Sequence, residues 1–185
     1  LSKSFLKNPQ EAPQPHRPES WYAESGITVH RGDAAVALDR TRRELQLQSG
    51  RRLAYDRLVL ATGCRARQLP GWPEALSNVA VLRSTHDARR LRGQLADTAS
   101  LTVLGGGFIG LEVAATARAL GKAVTVLEAA PRLLMRAVSS ELAAHVLQVH
   151  RDSGIDLRVG ARVGEIRVDG DRLRTIEVDA EPLGV

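Results

Sequence analysis

Leu101-Thr102-Val103-Leu104-Gly105-Gly106-Gly107-Phe108-Ile109-Gly110 is the stretch on which the reading of this chain turns. An apolar run ends in a G-x-G-x-x-G turn, and an alanine-rich helical pattern over residues 111–120 opens directly behind it. Gly121 closes that pattern, a second β-rich run covers residues 123–127, and Glu128 ends it. Strand, tight turn, helix, strand and terminal acid stand in the order a dinucleotide site needs. A glycine-rich turn alone is common; the register of its neighbours gives this one its meaning. Gly105 permits the sharp turn out of the strand, Gly107 lets a pyrophosphate approach the backbone, and Gly110 lets the helix pack closely on the sheet. Phe108 and Ile109 complete the cofactor turn, whose free N–H groups and positive helix end face the phosphates. Glu128 lies 18 residues beyond Gly110, near the usual spacing of about 20. A carboxylate there accepts from ribose hydroxyls and repels a 2′-phosphate, which favours NADH over NADPH. Arg132 and Arg136 follow closely enough to soften that preference.

The composition sets broad bounds. The 185 residues are 43% hydrophobic and 25% charged, an ordinary globular balance. No apolar run approaches the roughly 20 residues of a membrane-spanning helix, and the first residues lack the apolar stretch of a secretory signal. A single cysteine, Cys64, excludes an internal disulfide and any paired-cysteine redox motif. It fits a reducing cytoplasm, and after an Ala-Thr-Gly turn it reads as a small turn residue. The formal net charge of +5 comes from scattered arginines with few aromatics, so no nucleic-acid module is indicated. Such a surface suits an acidic protein partner. The five histidines show no metal-ligand spacing.

Around the central unit the chain reads as follows. Residues 7–18 hold four prolines and form a surface loop. Residues 18–25 form a short helix stopped by Gly26. Residues 27–29 and 34–38 are short strands, the latter with Val36 and Leu38 on one face. Residues 44–48 and 52–55 form a hairpin around Ser49-Gly50. Leu58-Val59-Leu60-Ala61 has the continuous apolarity of a strand buried on both faces. Ser84 to Asp87 resembles a capping box, ahead of a helical stripe of Ala88, Leu91 and Leu95. Ser139 or Ser140 caps a further helix with Leu142, Ala143, Val146 and Val149 on one side, ended by Gly154. A strand over residues 156–159 follows, then an antiparallel meander around Asp169-Gly170-Asp171. A domain boundary falls near residues 96–100.

Three motifs together resemble FAD-dependent, NADH-using ferredoxin reductases of bacterial oxygenase and cytochrome P450 systems. The type is that of putidaredoxin, rhodocoxin and aromatic-ring dioxygenase ferredoxin reductases, within the pyridine nucleotide-disulfide oxidoreductase superfamily. The motifs are Leu1-Ser2-Lys3-Ser4-Phe5-Leu6, the Ala61-Thr62-Gly63 turn behind residues 55–60, and the unit from Gly105 through Glu128 to Leu133. The resemblance covers nearly the whole chain and weakens after about residue 175. It implies an α/β, Rossmann-like two-dinucleotide-binding flavoprotein fold, with residues 1–97 as a partial FAD-binding domain and 98–185 as the NAD(H)-binding domain. It implies FAD and NADH as cofactors and a ferredoxin-type iron–sulfur protein as electron acceptor. Lys3 and Glu112 would then lie together beside the flavin and the nicotinamide as the catalytic pair. Thr62, Gly63 and Arg65 would contact FAD, and Gly105, Gly107, Phe108, Ile109, Gly110, Glu128 and Arg132 the nicotinamide nucleotide.

The disulfide reductases and NADH oxidases of the superfamily carry a cysteine in the segment that here reads Leu-Ser-Lys, so those chemistries are disfavoured. The family's first FAD-binding turn and its C-terminal Gly-Asp segment and interface domain have no counterpart here. The expectation is a fold truncated at both ends, binding FAD weakly or not at all alone. The tail over residues 178–185 departs from the expected return to the sheet. Two alternatives stand beside the reductase: a non-catalytic NAD(H)-binding module, and a relative of NADH-dependent rubredoxin or nitrite reductases.

Overall fold

The structure is a computed structural model that describes residues 1–73 and 75–185. In chain order its elements are helices α1 (Ser4–Lys7) and α2 (Glu19–Glu24), strands β1 (Ala35–Asp39), β2 (Glu44–Leu47) and β3 (Arg52–Ala54), and helix α3 (Thr85–Asp97). Then come β4 (Ser100–Leu104), α4 (Phe108–Ala119), β5 (Ala123–Glu128), α5 (Ser140–Asp152), β6 (Asp156–Val159), β7 (Val163–Asp169), β8 (Arg172–Val178) and β9 (Glu181–Gly184). Among the described residues no helix is long and apolar enough to cross a membrane. The chain divides into two compact units, one of Leu1–Pro13 with Arg65–Val185 and one of Gln14–Cys64.

The smaller unit is built on an antiparallel sheet in the order β1-β2-β3. The expected hairpin is present: Leu45 pairs with Leu53, and Gly50 takes a φ of 86° in the connecting turn. Asp33 closes the start of the unit by accepting from the backbone N–H and the hydroxyl of Ser49. Two expected strands are not formed. Residues 27–29 and 58–61 run without strand pairing, and Val59 and Leu60 are 85% and 71% exposed. Continuous apolarity marks a strand's preference for burial, but a strand also needs a neighbour to complete its ladder, and neither run has one among the described residues.

In the larger unit, the core is a parallel sheet in the order β4-β5-β6, with α4 and α5 as the crossovers. β5 has apolar side chains on both of its faces. Val124 and Val126 point into one core with Leu111, Ala114 and Ala117 of α4, whereas Leu127 joins a second core with Leu173, Ile176 and Val178 of β8. Alternate side chains of a strand face opposite ways, so helices cover one face and the meander the other. α3 lies on the helical side through Ala88, Leu91 and Leu95. Its N-terminus is a full capping box: the Ser84 hydroxyl accepts from Asp87 N–H, and the Asp87 carboxylate accepts from Ser84 N–H at 2.8 Å. Ser139, not Ser140, caps α5. Asn78 fastens the approach to α3 onto β8. Its amide donates to the Leu173 carbonyl and accepts from the Leu173 N–H, both at 2.9 Å.

The tail adds a strand to the meander, outside the β4-β5-β6 sheet. Residues 181–184 return as β9 and pair antiparallel with β8, Val178 opposite Glu181. Pro182 sits on the edge strand of the order β7-β8-β9, where a missing N–H costs little. The two-residue loop places Asp179 and Ala180 at φ 52° and 70°, the left-handed pair of a type I′ turn, where glycine is preferred at the second position. Ala180→Gly is therefore expected to stabilise the protein by about 0.5–1 kcal/mol. Thermal unfolding checks this, and an unchanged or lowered midpoint would contradict the turn assignment.

Candidate functional site

The glycine turn is held by three interlocking hydrogen bonds. Gly105 leaves β4 at φ 113° and its N–H donates to the Leu127 carbonyl at 2.8 Å. Gly106 N–H donates to Glu128 Oε2 at 2.6 Å, and Ala130 N–H donates to Glu128 Oε1 at 2.7 Å. A β-carbon on Gly106 would run into Leu133 and Glu128, and one on Gly110 would run into the Gly105 carbonyl and Val103. Gly107 differs: a β-carbon there would meet nothing within 4 Å. It is the N-cap of α4, where no side chain caps and no acid occupies the first turn. The first N–H groups of the helix thus face outward with a positive end and no side-chain acceptor, and Phe108 and Ile109 beside them are 56% and 54% exposed. That arrangement could hold an anion and leaves room for one.

One turn further along α4, the N-terminal segment docks. Lys3 Nζ lies 3.3 Å from Glu112 Oε1, so the pair expected from the sequence is brought together. The Ser2 hydroxyl donates to the other carboxylate oxygen, Oε2, at 2.5 Å, and the hydroxyl of Thr116 donates to the Ser2 carbonyl at 2.9 Å. Glu112 is held below the usual carboxylate range, first by the Ser2 hydroxyl and then by Lys3, against the opposing effect of burial. The segment behind Lys3 is anchored on α3. Arg92 donates to the carbonyls of Phe5, Asn8 and Glu11, and its guanidinium stands 4.2 Å from the centre of the Phe5 ring. Phe5 and Leu6 are buried in the main core. Ser2, Thr116 and Arg92 were not singled out by the sequence. Only the i, i+4 spacing of Glu112 and Thr116 hints that they share a helix face.

The remaining candidates are placed as follows. Arg132 donates to the carbonyls of Val138 and Met135, and so holds together the turn that follows β5. Arg136 and Arg65 are exposed in the larger unit. Thr62 and Gly63 belong to the smaller unit, exposed in irregular chain, with Gly63 at φ 73°. Cys64 is free and exposed. Among the described residues no cluster of histidine, cysteine and acid groups could hold a metal ion.

A parallel β4-β5-β6 sheet with an open glycine turn at the head of α4 and a carboxylate at the end of β5 is a Rossmann-type dinucleotide-binding unit. The chain matches the family model described as pyridine nucleotide-disulphide oxidoreductase over residues 1–183, and it belongs to that family. It is 40% identical over 190 residues to the ferredoxin–NAD(+) reductase component of the p-cumate 2,3-dioxygenase system of Pseudomonas putida, covering 100% of this chain and 47% of that protein. It is also 40% identical over 168 residues to a rubredoxin–NAD(+) reductase of Pseudomonas putida, covering 90% of this chain and 44% of the relative. The crystal structure of the ferredoxin reductase for the CYP199A2 system of Rhodopseudomonas palustris superposes with a TM-score of 0.91 at 38% identity, covering 99% of this chain and 46% of that one. The chain spans about half the length of the curated relatives it matches.

Proposed function

We propose that this chain acts in an NADH-dependent, FAD-containing reductase that passes electrons to a ferredoxin-type iron–sulfur protein serving an oxygenase or cytochrome P450. The observation that carries this reading is that α4 joins two functions. Its open N-terminus offers a pyrophosphate site, and one turn on its Glu112 holds Lys3 in place. Gly105, Gly107, Phe108, Ile109 and Gly110 would hold the nicotinamide nucleotide. Glu128, with both oxygens already accepting from backbone, would present its remaining lone pairs and its negative charge to the ribose, favouring NADH. Arg132 would flank it. Residues 98–185 form the NAD(H)-binding domain in this reading, and residues 1–97 contribute to FAD, with Thr62, Gly63 and Arg65 as contacts. Bound FAD supplies the exchange between two-electron and one-electron transfer. Lys3, fixed by Glu112, sets a positive charge beside the reacting centre and steadies the negative charge that hydride transfer brings.

The partner follows from the printed roles of the relatives and from the net charge of +5, which steers an acidic protein. A cytoplasmic location accords with the single cysteine. The rubredoxin–NAD(+) reductase at equal identity supports a second reading, in which rubredoxin is the acceptor. Anaerobic addition of NADH to the FAD-loaded protein should bleach the flavin absorbance, and turnover with a ferredoxin should exceed that with rubredoxin. Flavin that stays oxidised would overturn the reductase reading, and faster rubredoxin reduction would select the second one.

A further inference from the structure

We propose that Ser2 is a positioning residue for Glu112: its hydroxyl, aimed by Thr116, holds one carboxylate oxygen so that the other faces Lys3. This rests on the reductase reading above. Glu112 can rotate about its side-chain bonds, and Lys3 alone, with its ammonium on a flexible stem and 72% exposed, cannot fix it. The 2.5 Å bond from Ser2 occupies Oε2 and leaves Oε1 to Lys3 at 3.3 Å. Ser2 is in turn held through its own carbonyl by Thr116, which is 8% exposed and stands one turn after Glu112 on the same helix. A buried hydroxyl, a backbone carbonyl, a second hydroxyl, a carboxylate and an ammonium thus form one chain of contacts. Exposure rises towards its end, from 33% for the Glu112 side chain to 72% for that of Lys3. Among the described residues, the charged side chain facing Glu112 is that of Lys3. His150 of α5 approaches the neighbouring Leu111 carbonyl at 3.4 Å and does not bond the carboxylate.

The network keeps Glu112 ionised and its charge directed at Lys3. Removing the Ser2 hydroxyl deletes the largest influence that lowers the Glu112 pKa, so protonation then occurs at higher pH. The test follows the Glu112 carboxyl carbon by NMR during pH titration of the protein without added cofactor. Ser2→Ala should move the midpoint upward, Ser2→Thr should restore it, and Thr116→Val should move it in the same direction as Ser2→Ala. In FAD-loaded protein, Ser2→Ala should slow the limiting rate of flavin reduction by roughly tenfold with NADH affinity unchanged, and shift the acid limb of the rate profile to higher pH. An unmoved Glu112 midpoint in Ser2→Ala, or a Ser2→Thr protein that behaves as Ser2→Ala does, overturns the proposal. The carboxyl titration decides it even where wild-type flavin is not reduced by NADH, a result that would sink the reductase reading separately.

Discussion

Gly110→Val is expected to abolish dinucleotide binding and to lower the unfolding midpoint by about 6–12 °C. Even a β-carbon at this position would collide with the carbonyl oxygen of Gly105 and with Val103. The first of these is backbone and has no rotamer to retreat into. Relief would require α4 to lift from β4, opening the contacts of Leu111, Ala114 and Ala117 with the sheet, or would require the Gly105 turn to move. Overpacking of this kind costs typically 1–3 kcal/mol and occasionally more, and valine at the upper end gives the quoted shift at about 2–4 °C per kcal/mol for a protein of this size. The turn that must move carries Gly106 and Gly107, so the anion site is lost with the packing. Calorimetry together with NADH fluorescence titration measures both effects. A variant that melts and binds as the wild type would mean that the helix–strand approach is looser than the geometry states.

Glu128→Gln is expected to weaken NADH binding by roughly thirtyfold, about 2 kcal/mol, and to bring NADPH closer to NADH. The carboxylate accepts two backbone N–H groups, one on each oxygen, at 2.6 and 2.7 Å. An amide has one carbonyl oxygen, so its NH2 must face either Gly106 N–H or Ala130 N–H, donor against donor. One charge-assisted bond of about 1.5–3 kcal/mol is lost and the other becomes neutral. Because Gly106 lies within the glycine turn, the damage reaches the pyrophosphate site as well as the ribose. Loss of the negative charge also removes the repulsion of a 2′-phosphate. Parallel titrations with the two nucleotides check both parts, and an unchanged NADH-to-NADPH ratio would contradict the role given to Glu128.

What the sequence disclosed was local. The switch from alternating to helical periodicity around Gly105–Gly110, the Ser84–Asp87 cap and the Asp169-Gly170 turn each place their signal within a few residues of the structure they cause. Glu128 was legible as an acid at the right distance, but its grip on Gly106 and Ala130 was not, since spacing says nothing of which lone pairs are already used. The strand β9 was hidden because Pro182 and an Asp-Ala turn both lack the usual marks of a hairpin, and an edge position tolerates both. Residues 58–61 failed the other way: apolarity was plain, and the pairing partner a strand requires is a fact of the fold. Ser2, Thr116 and Arg92 lay beyond reach for a related reason. A serine hydroxyl carries no pattern, and its partners stand 110 and 114 residues away.

Those separations have a kinetic meaning. Arg92 closes onto the N-terminal segment across 81 to 87 residues, and Glu112 and Thr116 across more than a hundred, with the whole of Gln14–Cys64 in the intervening loop. Long closures bear their entropy before their contacts reward it. Their anchors, α3 and α4, must already exist as folded surfaces to receive the segment. The Lys3–Glu112 pair is therefore expected to assemble after the helical surfaces that receive it. Amide protons over residues 4–8 should exchange ahead of those in the β4–β5 ladder, which would make the opening of the Lys3–Glu112 contact a local event, separable in time from the unfolding of the protein that carries it.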